Sequence, residues 1–486
     1  MKKNKKIINL LLALSLLVPT IVLAEPEEPP GGFGGNPGGA PGGMSTSTSS
    51  YNNYAGATTL TEGTLDAQTY TSTEESENAL LVSMGTVTLT NPTVTKSGDA
   101  SGDEADFYGT NAAILAYDDS ILNITNGTVT TNGSHANAVF AYGTGTINIS
   151  GTTIVTSSNN SGGIMVTGGG TLTATKLTVT TSGNSSAAIR SDRGGGTMNV
   201  TGGTYTTKGN GSPSIYSTAD INVTNATLKS EASEGIVIEG SNSVTLSNVT
   251  VIDNNTTLNG NSETYKNIFI YQSMSGDASE GTGTFTATNS TFTTQNGDAF
   301  FVTNTQAIIN LTNNTFTTQN GDFLRVQTGK WGTSGSNGGD VTLNLDKQKI
   351  EGNIIVDNIS TLAMNMTNAS YYKGIINGAN TAKNISLTLS SDSVFILNGD
   401  TYIDSLTNAS SNNSNIYANG YTLYVAGEEV SINQGTYQEP VSETEEVEEQ
   451  EDKKETNYIV YITIAVAVII ILSVLSIATM TSKNKE

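Results

Sequence analysis

Residues 122–131 read LNITNGTVTT, and the same ten-residue pattern returns seven more times without gaps. The other copies are INISGTTIVT (147–156), LTATKLTVTT (172–181), MNVTGGTYTT (198–207), INVTNATLKS (221–230), VTLSNVTVID (244–253), FTATNSTFTT (285–294) and INLTNNTFTT (309–318). The first six copies start 25, 25, 26, 23 and 23 residues apart, and the last two follow an insertion. Apolar and polar residues alternate with a period of two, which predicts β-strands rather than helices.

Each repeat also contains a third short apolar segment. These segments are AILA (113–116), AVFA (138–141), GIMV (163–166), AIRS (188–191), SIYS (214–217) and GIVI (235–238). Three short strands separated by Asn, Gly and Ser turns are typical of one rung of a parallel β-helix, in which rungs stack about 4.8 Å apart. Residues 58–437 are therefore predicted to be all-β, a β-solenoid of about 12 to 15 coils.

This organisation resembles the right-handed parallel β-helix proteins of the pectin-lyase-like superfamily. More narrowly, it resembles the adhesin-like repeat proteins of bacterial and archaeal cell surfaces. The resemblance rests on the pattern apolar-x-apolar-[Ser/Thr]-x-x-Thr-x-Thr and covers most of residues 58–437. It implies a right-handed β-helix, but the superfamily also contains polysaccharide lyases and hydrolases that act on acidic glycans. The pattern specifies a fold and leaves the activity open.

The two ends of the chain predict export and membrane anchoring. Four lysines precede an apolar run over 7–23, and Ala24 is followed by an acidic segment, which is typical of a signal peptide over 1–24; the alternative is an uncleaved anchor. Residues 458–480 are apolar enough to form one transmembrane helix in the lipid bilayer. Lysines in the tail 481–486 place that tail in the cytoplasm, so residues 25–457 are expected outside the cell.

Two low-complexity segments flank the predicted solenoid. Residues 25–57 are rich in Pro, Gly, Ser and Thr and are predicted to form a disordered leader. Residues 438–457 are predicted to form an acidic stalk, which extends through self-repulsion. The expected location is therefore the cell surface, with a single-pass anchor in the membrane.

Composition excludes one class of partner and one source of stability. The formal charge is −23, and removal of the four lysines in residues 1–24 makes it −27. Nucleic-acid binding needs a basic surface, so no nucleic-acid partner is predicted. The chain has no cysteine. Its stability must come from backbone ladders and a stacked apolar core rather than from disulfides.

The sequence offers few candidates for catalysis or metal binding. His135 has no acidic neighbour in sequence and is interpreted as a solvated turn residue, while residues 190–193 (RSDR) are interpreted as an ion pair that closes a turn. No catalytic residue and no cofactor are predicted. Four acidic residues could bind Ca²⁺, although a solvated insertion is the favoured interpretation. They are Asp99, Asp103, Glu104 and Asp106.

Two kinds of polar residue are expected on the outside of the strands. Thr-x-Thr pairs resemble the arrays of ice-binding solenoids, but Val155, Lys229 and Ile252 interrupt one row and high β-propensity explains the threonines. The pairs are Thr128/Thr130, Thr178/Thr180, Thr204/Thr206, Thr291/Thr293 and Thr315/Thr317. Asn-x-Ser/Thr sequences in the strands are explained by outward-facing asparagines, and N-glycosylation becomes credible only for an archaeal source.

A second outward row carries the predicted ligand site. If the first isoleucine or valine of each third strand points inward, the next residue points outward, which gives Leu115, Phe140, Met165, Arg190, Tyr216 and Val237. The predicted ligand-binding residues are Phe140, Arg190, Tyr216, Phe269, Phe301, Arg325 and Trp331. The aromatic side chains would stack on sugar rings or partner side chains, and the arginines would pair with carboxylates or sulfates of a glycan or protein partner. The alternatives are that a loop, the leader or a second copy covers this row, or that the register is shifted by one residue.

These observations predict a non-enzymatic, adhesin-like cell-surface protein. Its β-helical rod would bind an extracellular glycan or a cell-surface protein. One alternative is a carbohydrate-active enzyme, a polysaccharide lyase or hydrolase acting on acidic glycans. The other alternative is a structural component of a surface coat.

Overall fold

A computed structural model of the chain describes residues 51–258 and 263–439. The predicted signal peptide, transmembrane helix and cytoplasmic tail, and most of the leader and acidic stalk, lie outside these residues. Among the helices in the described ranges, none has the length and apolar character needed to span a bilayer. The solenoid ends at Gly435, and residues 436–439 belong to a separate unit and form no helix or strand.

The solenoid is built from strands that pair in parallel with strands of the preceding and following rungs. The strand Ile121–Thr125, for example, lies between Thr86–Thr90 and Thr146–Ser150, with both pairings parallel. About 15 turns stack in this way. The prediction of an all-β parallel β-solenoid is therefore confirmed.

Two large sheets contain most of the strands. Sheet 1 holds 22 strands, which are Gly63–Asp66, Thr69–Ser72, Thr86–Thr90, Thr93–Lys96, Ile121–Thr125, Thr128–Thr131, Thr146–Ser150, Thr153–Thr156, Gly170–Thr181, Gly196–Thr207, Asp220–Thr224, Thr227–Ser230, Ser243–Ser247, Thr250–Asp253, Thr282–Thr288, Thr291–Thr294, Thr305–Thr312, Thr315–Thr318, Gly339–Asp346, Thr361–Thr367, Asn384–Leu389 and Ser405–Asn408. Sheet 2 holds 12 strands, which are Thr59–Leu60, Leu80–Ser83, Ile114–Tyr117, Val139–Tyr142, Ile164–Thr167, Ile189–Ser191, Ile215–Ser217, Ile236–Glu239, Lys266–Tyr271, Asp298–Thr303, Leu324–Val326 and Ile354–Val356.

Smaller elements complete the rungs at both ends. A four-stranded sheet contains Lys349–Glu351, Tyr371–Gly374, Val394–Leu397 and Ile416–Tyr417, and a three-stranded sheet contains Thr401–Ile403, Leu423–Val425 and Glu428–Glu429. A two-stranded sheet pairs Ala55–Gly56 with Glu77–Asn78. Within residues 51–258 and 263–439, the helical elements are the α-helix Asp103–Tyr108 and the 3₁₀-helix Ser411–Asn413.

The turn inside each ten-residue repeat explains its Asn and Gly residues. Asn126 (φ 60°) and Asn225 (φ 55°) occupy the left-handed region between the two strands of their repeats. Asparagine adopts this conformation more readily than most residues because its short polar side chain can bond locally. Lys176 (φ 53°) holds the same position in the third copy. The chain there continues as one strand, Gly170–Thr181.

The core consists of the inward residues of every rung. Val139, Ile164, Ile189 and Ile215 are in direct register on successive rungs, and all four are fully buried. The predicted inward orientation of these residues is confirmed. Full burial of one such side chain stabilises the fold by about 1.5–3 kcal/mol. A single rung cannot bury its own apolar residues, so most of the stability comes from the stacking of rungs.

Candidate functional site

The predicted outward row is aligned as expected, but its members are buried, except Arg325, which is half-buried. Phe140, Met165, Arg190 and Tyr216 are consecutive register partners on sheet 2, on the side opposite the main core. However, Phe140 and Phe269 are 0% exposed, Arg190 and Tyr216 are 3% exposed, and Phe301 and Trp331 are 5% and 4% exposed. The prediction of an accessible row is therefore wrong, because non-repeating segments fold back over it.

The N-terminal part of the row is covered by residues 51–54 and by the helix Asp103–Tyr108. Tyr51, Tyr54 and Tyr108 pack against the apolar cluster that contains Leu115, Phe140 and Met165. The rings of Tyr51 and Tyr108 stack with centroids 5.1 Å apart, and the Tyr54 hydroxyl donates to the Tyr108 carbonyl over 2.9 Å. The last residues of the predicted leader are thus part of the folded structure.

The C-terminal part of the row is covered by an aromatic cluster. The Trp331 ring lies 5.3 Å from Phe269 and 5.1 Å from Tyr271, and Phe269 stacks on Tyr271 at 4.4 Å. Phe301 completes this cluster, with its ring 5.7 Å from that of Phe269. These contacts fix the segment around Trp331 to the outer surface of sheet 2.

A buried ion pair neutralises Arg190, the first cationic residue of the row. The Arg190 guanidinium donates to Asp192 over 2.9 Å, and both side chains are almost inaccessible. Arg193 points away from this pair and donates to Asp277 over 2.9 Å and to Asp103 over 3.3 Å. Its guanidinium also lies 3.9 Å from the centre of the Phe107 ring. The predicted ion pair is present, and Arg193 joins the helix to the segment 272–281.

Arg325, the second cationic residue of the row, and the nearby Lys266 are neutralised in the same way. Arg325 donates to Asp298 over 2.6 Å and to Asp322 over 2.7 Å, so its charge is directed inward. Lys266 and Glu234 form an ion pair at 3.2 Å, and each side chain is 1% exposed. Lys266 also lies 4.5 Å from the centre of the Phe269 ring. The arginines predicted to bind an anionic ligand are therefore occupied by carboxylates of the same chain.

Glu239 forms a second buried polar centre. Its carboxylate accepts hydrogen bonds from the hydroxyl groups of Tyr216 (2.7 Å), Tyr271 (2.9 Å) and Ser273. Burial raises the pKa of Glu239, and burial likewise raises the pKa of Asp192 to about 7. Sequence reasoning missed Glu239, Lys266, Asp277 and Asp298. Three of them could have been recognised from the sequence, because each is a charged residue at one end of a mostly apolar strand. These three are Glu239, Lys266 and Asp298.

These raised pKa values predict a pH-dependent stability. Because the folded chain holds the protons of Asp192 and Glu239 more tightly than the unfolded chain, the free energy of unfolding should fall as pH rises from about 4 to about 7. Chemical unfolding at about pH 5 and about pH 8 measures the difference. The variants Glu239→Gln and Asp192→Asn should show a weaker pH dependence. An unchanged dependence in both variants would assign the effect to other groups, such as Asp253 and Asp298, whose pKa values burial also raises.

The four acidic residues predicted as a weak Ca²⁺ site each have a separate partner. Asp99 accepts hydrogen bonds from Ser134, which lower its pKa, and Asp103 pairs with Arg193. Glu104 accepts from the Tyr51 hydroxyl. Asp106 lies 2.8 Å from the Nδ1 atom of His135. Across residues 51–258 and 263–439, no three His, Asp or Glu side chains are grouped as metal ligands.

The environment of His135 differs from the predicted one. It has no acidic neighbour in sequence, but the helix Asp103–Tyr108 brings Asp106 to it. The Nε2 atom of His135 lies 3.0 Å from the side-chain amide of Asn160 on the next rung. The interpretation as a solvated turn residue is therefore wrong, since the ring is held between two side chains.

The exposed side of sheet 1 carries a regular polar surface. Ten threonines follow one another in direct register and form the threonine row: Thr69, Thr93, Thr128, Thr153, Thr178, Thr204, Thr227, Thr250, Thr291 and Thr315. All of them are exposed or half-buried. The neighbouring row is interrupted by Val155, Lys229 and Ile252, as the sequence predicts. Parallel rungs space these side chains about 4.8 Å apart.

An asparagine ladder runs along the first strands of the repeats. The side-chain amide of Asn148 donates to Asn123 over 3.0 Å, and Asn344 donates to Asn310 over 2.8 Å. Asn365 extends the ladder by donating to Asn344 over 2.9 Å. The outward orientation predicted for these strand asparagines is confirmed, and the ladder bonds stabilise the stacking of adjacent rungs.

A cleft opens between the two non-repeating segments near the aromatic cluster. Its volume is about 500 Å³, and residues 272–281 and 332–340 form its two walls. The remaining lining comes from residues 304–306, where the strand Thr305–Thr312 begins, and from Ile359, Thr361 and Lys383. Comparisons of this chain with protein-family models, with curated proteins and with solved structures found no match.

Proposed function

We propose that this chain is a non-enzymatic, adhesin-like cell-surface protein whose solenoid binds extracellular glycans or surface partners. The observation that supports this proposal is the threonine row, which presents the same hydroxyl group on ten consecutive rungs. A repeating surface suits a ligand that is itself repeating. The signal peptide and membrane helix predicted from the sequence would place this surface outside the cell.

Repetition compensates for weak individual contacts. A single exposed hydroxyl gains little by replacing its hydrogen bonds to water with one to a ligand. When many identical contacts are linked on one rigid scaffold, binding at the first site raises the effective concentration at the next. The proposed mode of action is therefore avidity along the solenoid and not a single high-affinity site.

Bulky cations on the threonine row should reduce this binding. The triple variant Thr128→Lys, Thr178→Lys, Thr227→Lys places long side chains on alternate rungs of the row. We expect at least a tenfold loss of binding by the full-length chain to glycan arrays or to cells, with unchanged circular dichroism. Thr388→Lys, exposed but outside the row, is the control. Full binding by the triple variant would show that the row takes no part.

A polysaccharide lyase or hydrolase is the second candidate. The observation that favours it is the group of buried carboxyls on the outer side of sheet 2, where Asp192 has a pKa raised by burial to about 7. Even with Arg190 beside it, a carboxyl with this pKa is partly protonated near pH 7, and its protonated form can act as a general acid. Asp192 is 0% exposed, so substrate access would require the covering segments to move. Release of new reducing ends or unsaturated products from polygalacturonate, lost in Asp192→Asn, would support this candidate over the first.

A further inference from the structure

The cleft between residues 272–281 and 332–340 has fixed walls. The first wall is held to sheet 2 by the bonds from Ser273 to Glu239 and from Arg193 to Asp277. The second follows Trp331, which is packed against Phe269 and Tyr271. A site whose walls are already ordered loses less conformational entropy when it binds a ligand.

Further hydrogen bonds join residues 304 and 305 to both walls, since the backbone N–H of Asn304 also donates to the Asn337 carbonyl over 3.0 Å. The side-chain amide of Asn304 donates to the Gln272 carbonyl over 2.7 Å, and the Thr305 hydroxyl donates to the Gly281 carbonyl over 3.2 Å. On the opposite side, the Asn337 amide donates to the carbonyls of Gly329 and Trp331 over 2.8 and 2.9 Å. The non-repeating segments and the first residues of the sheet 1 strands Thr305–Thr312 and Gly339–Asp346 therefore form a defined concave site.

The lining combines polar groups with one exposed apolar side chain. Gln306 and Asn304 supply amides, Glu280 and Asp340 supply carboxylates, and Lys383 supplies an ammonium group. Met274 is 54% exposed and lies at the same cleft. Amides and carboxylates match the paired donors and acceptors of adjacent sugar hydroxyls, and a thioether can pack against the C–H face of a sugar ring. The volume of about 500 Å³ is in the range of small-molecule sites.

The charge of the lining decides between classes of sugar. Glu280 and Asp340 outnumber Lys383, so the lining does not favour an anionic ligand. The cationic residues that the sequence predicted for acidic glycans, Arg190 and Arg325, are paired with internal carboxylates elsewhere. A ligand rich in hydroxyl groups and without charge fits this lining best.

From these contacts we infer that the cleft binds a neutral oligosaccharide and gives the solenoid a discrete recognition site in addition to the threonine row. This inference rests on the proposed function, since it names the ligand class and a second site for the same glycan-binding activity. The cleft selects the sugar, and the threonine row adds avidity along the stack.

The test uses the full-length chain on an array of neutral fragments of β-glucan, mannan, xylan and galactan, with polygalacturonate and chondroitin sulfate as acidic probes. Thr333→Trp fills the cleft from an exposed lining residue. Ser334→Trp is the matched control, because it makes the same change at the next exposed residue, which does not line the cleft. We expect wild type and Ser334→Trp to bind a neutral fragment and Thr333→Trp to bind it at least tenfold more weakly.

The outcomes separate the inference from the proposed function. Equal binding by Thr333→Trp and Ser334→Trp, with loss in the threonine-row triple variant, would overturn the cleft and leave the adhesive role standing. Binding to acidic probes alone would also overturn the neutral-sugar assignment. A wild-type chain that binds no glycan and no cell would overturn the proposed function, and the inference would fall with it.

Discussion

The variant Ile189→Asp should lose about 5 kcal/mol or more of unfolding free energy. Ile189 is 0% exposed and lies in register between Ile164 and Ile215 on the adjacent rungs. An aspartate there removes apolar packing on both sides and places a carboxylate among the apolar side chains of the core. Each rung is stable only through its neighbours, so unfolding should spread to adjacent coils. Denaturant unfolding followed by circular dichroism measures the loss.

The matched control places the same residue type on the outside of the same solenoid. Thr178→Asp lies in the exposed threonine row, where water solvates the carboxylate. Its effect on the free energy of unfolding should stay within about 0.5–1 kcal/mol. Similar stabilities for Ile189→Asp and Thr178→Asp would contradict the assignment of inward and outward faces.

The repeat could be predicted from the sequence because its strand pattern depends on residues that are close together in the chain. Alternation with a period of two determines which side of a strand each residue faces, and the 23–26 residue spacing places equivalent residues on adjacent rungs. Both Ile189 as a core residue and Arg190 as its outward neighbour follow from this pattern. The interrupted row at Val155, Lys229 and Ile252 follows as well, and each of these assignments matches the register of sheet 1 or sheet 2.

The covering of the outward row could not be predicted in the same way. The segments that cover it are insertions and the end of the predicted leader, so they lack the period that fixes the position of the strands. Their contacts join residues far apart in sequence, such as Arg193 with Asp103 and Asp277, which lie 90 and 84 positions away. The contact between His135 and Asp106 could not be predicted for the same reason, since only the fold of the insertion brings the two residues together.

One feature of the sequence did indicate that the outward row is covered, although it did not identify the covering segments. Aromatic and cationic residues would be unusual on the exposed surface of a chain this acidic and this rich in threonine. Trp331 also lies in an insertion that comes shortly after Arg325 of the row. Buried charges require partners, and Asp192, Asp277 and Asp298 supply them from nearby turns and strand ends. A cationic residue in the middle of an apolar strand is therefore better interpreted as half of a buried pair than as a ligand site.

The variant Phe269→Ser should be strongly destabilised, in contrast to the small effect expected for an exposed outward residue. The Phe269 ring is 0% exposed and contacts Tyr271, Phe301 and Trp331. Replacement by serine removes these ring contacts and leaves a cavity, which costs about 3–5 kcal/mol for a buried phenylalanine. The segment around Trp331 should also detach from sheet 2. Unfolding free energies measure the first effect, and limited proteolysis near Trp331 measures the second.

Met274→Ser is the matched control, because it replaces another large apolar side chain with serine in the segment that covers the same sheet. Met274 is 54% exposed, so the change should alter the free energy of unfolding by no more than about 0.5 kcal/mol. Proteolysis near Trp331 should be unchanged in this control. If Phe269→Ser were as stable and as resistant to protease as Met274→Ser, the row would be accessible, and the aromatic residues of sheet 2 would again be candidates for direct ligand contact.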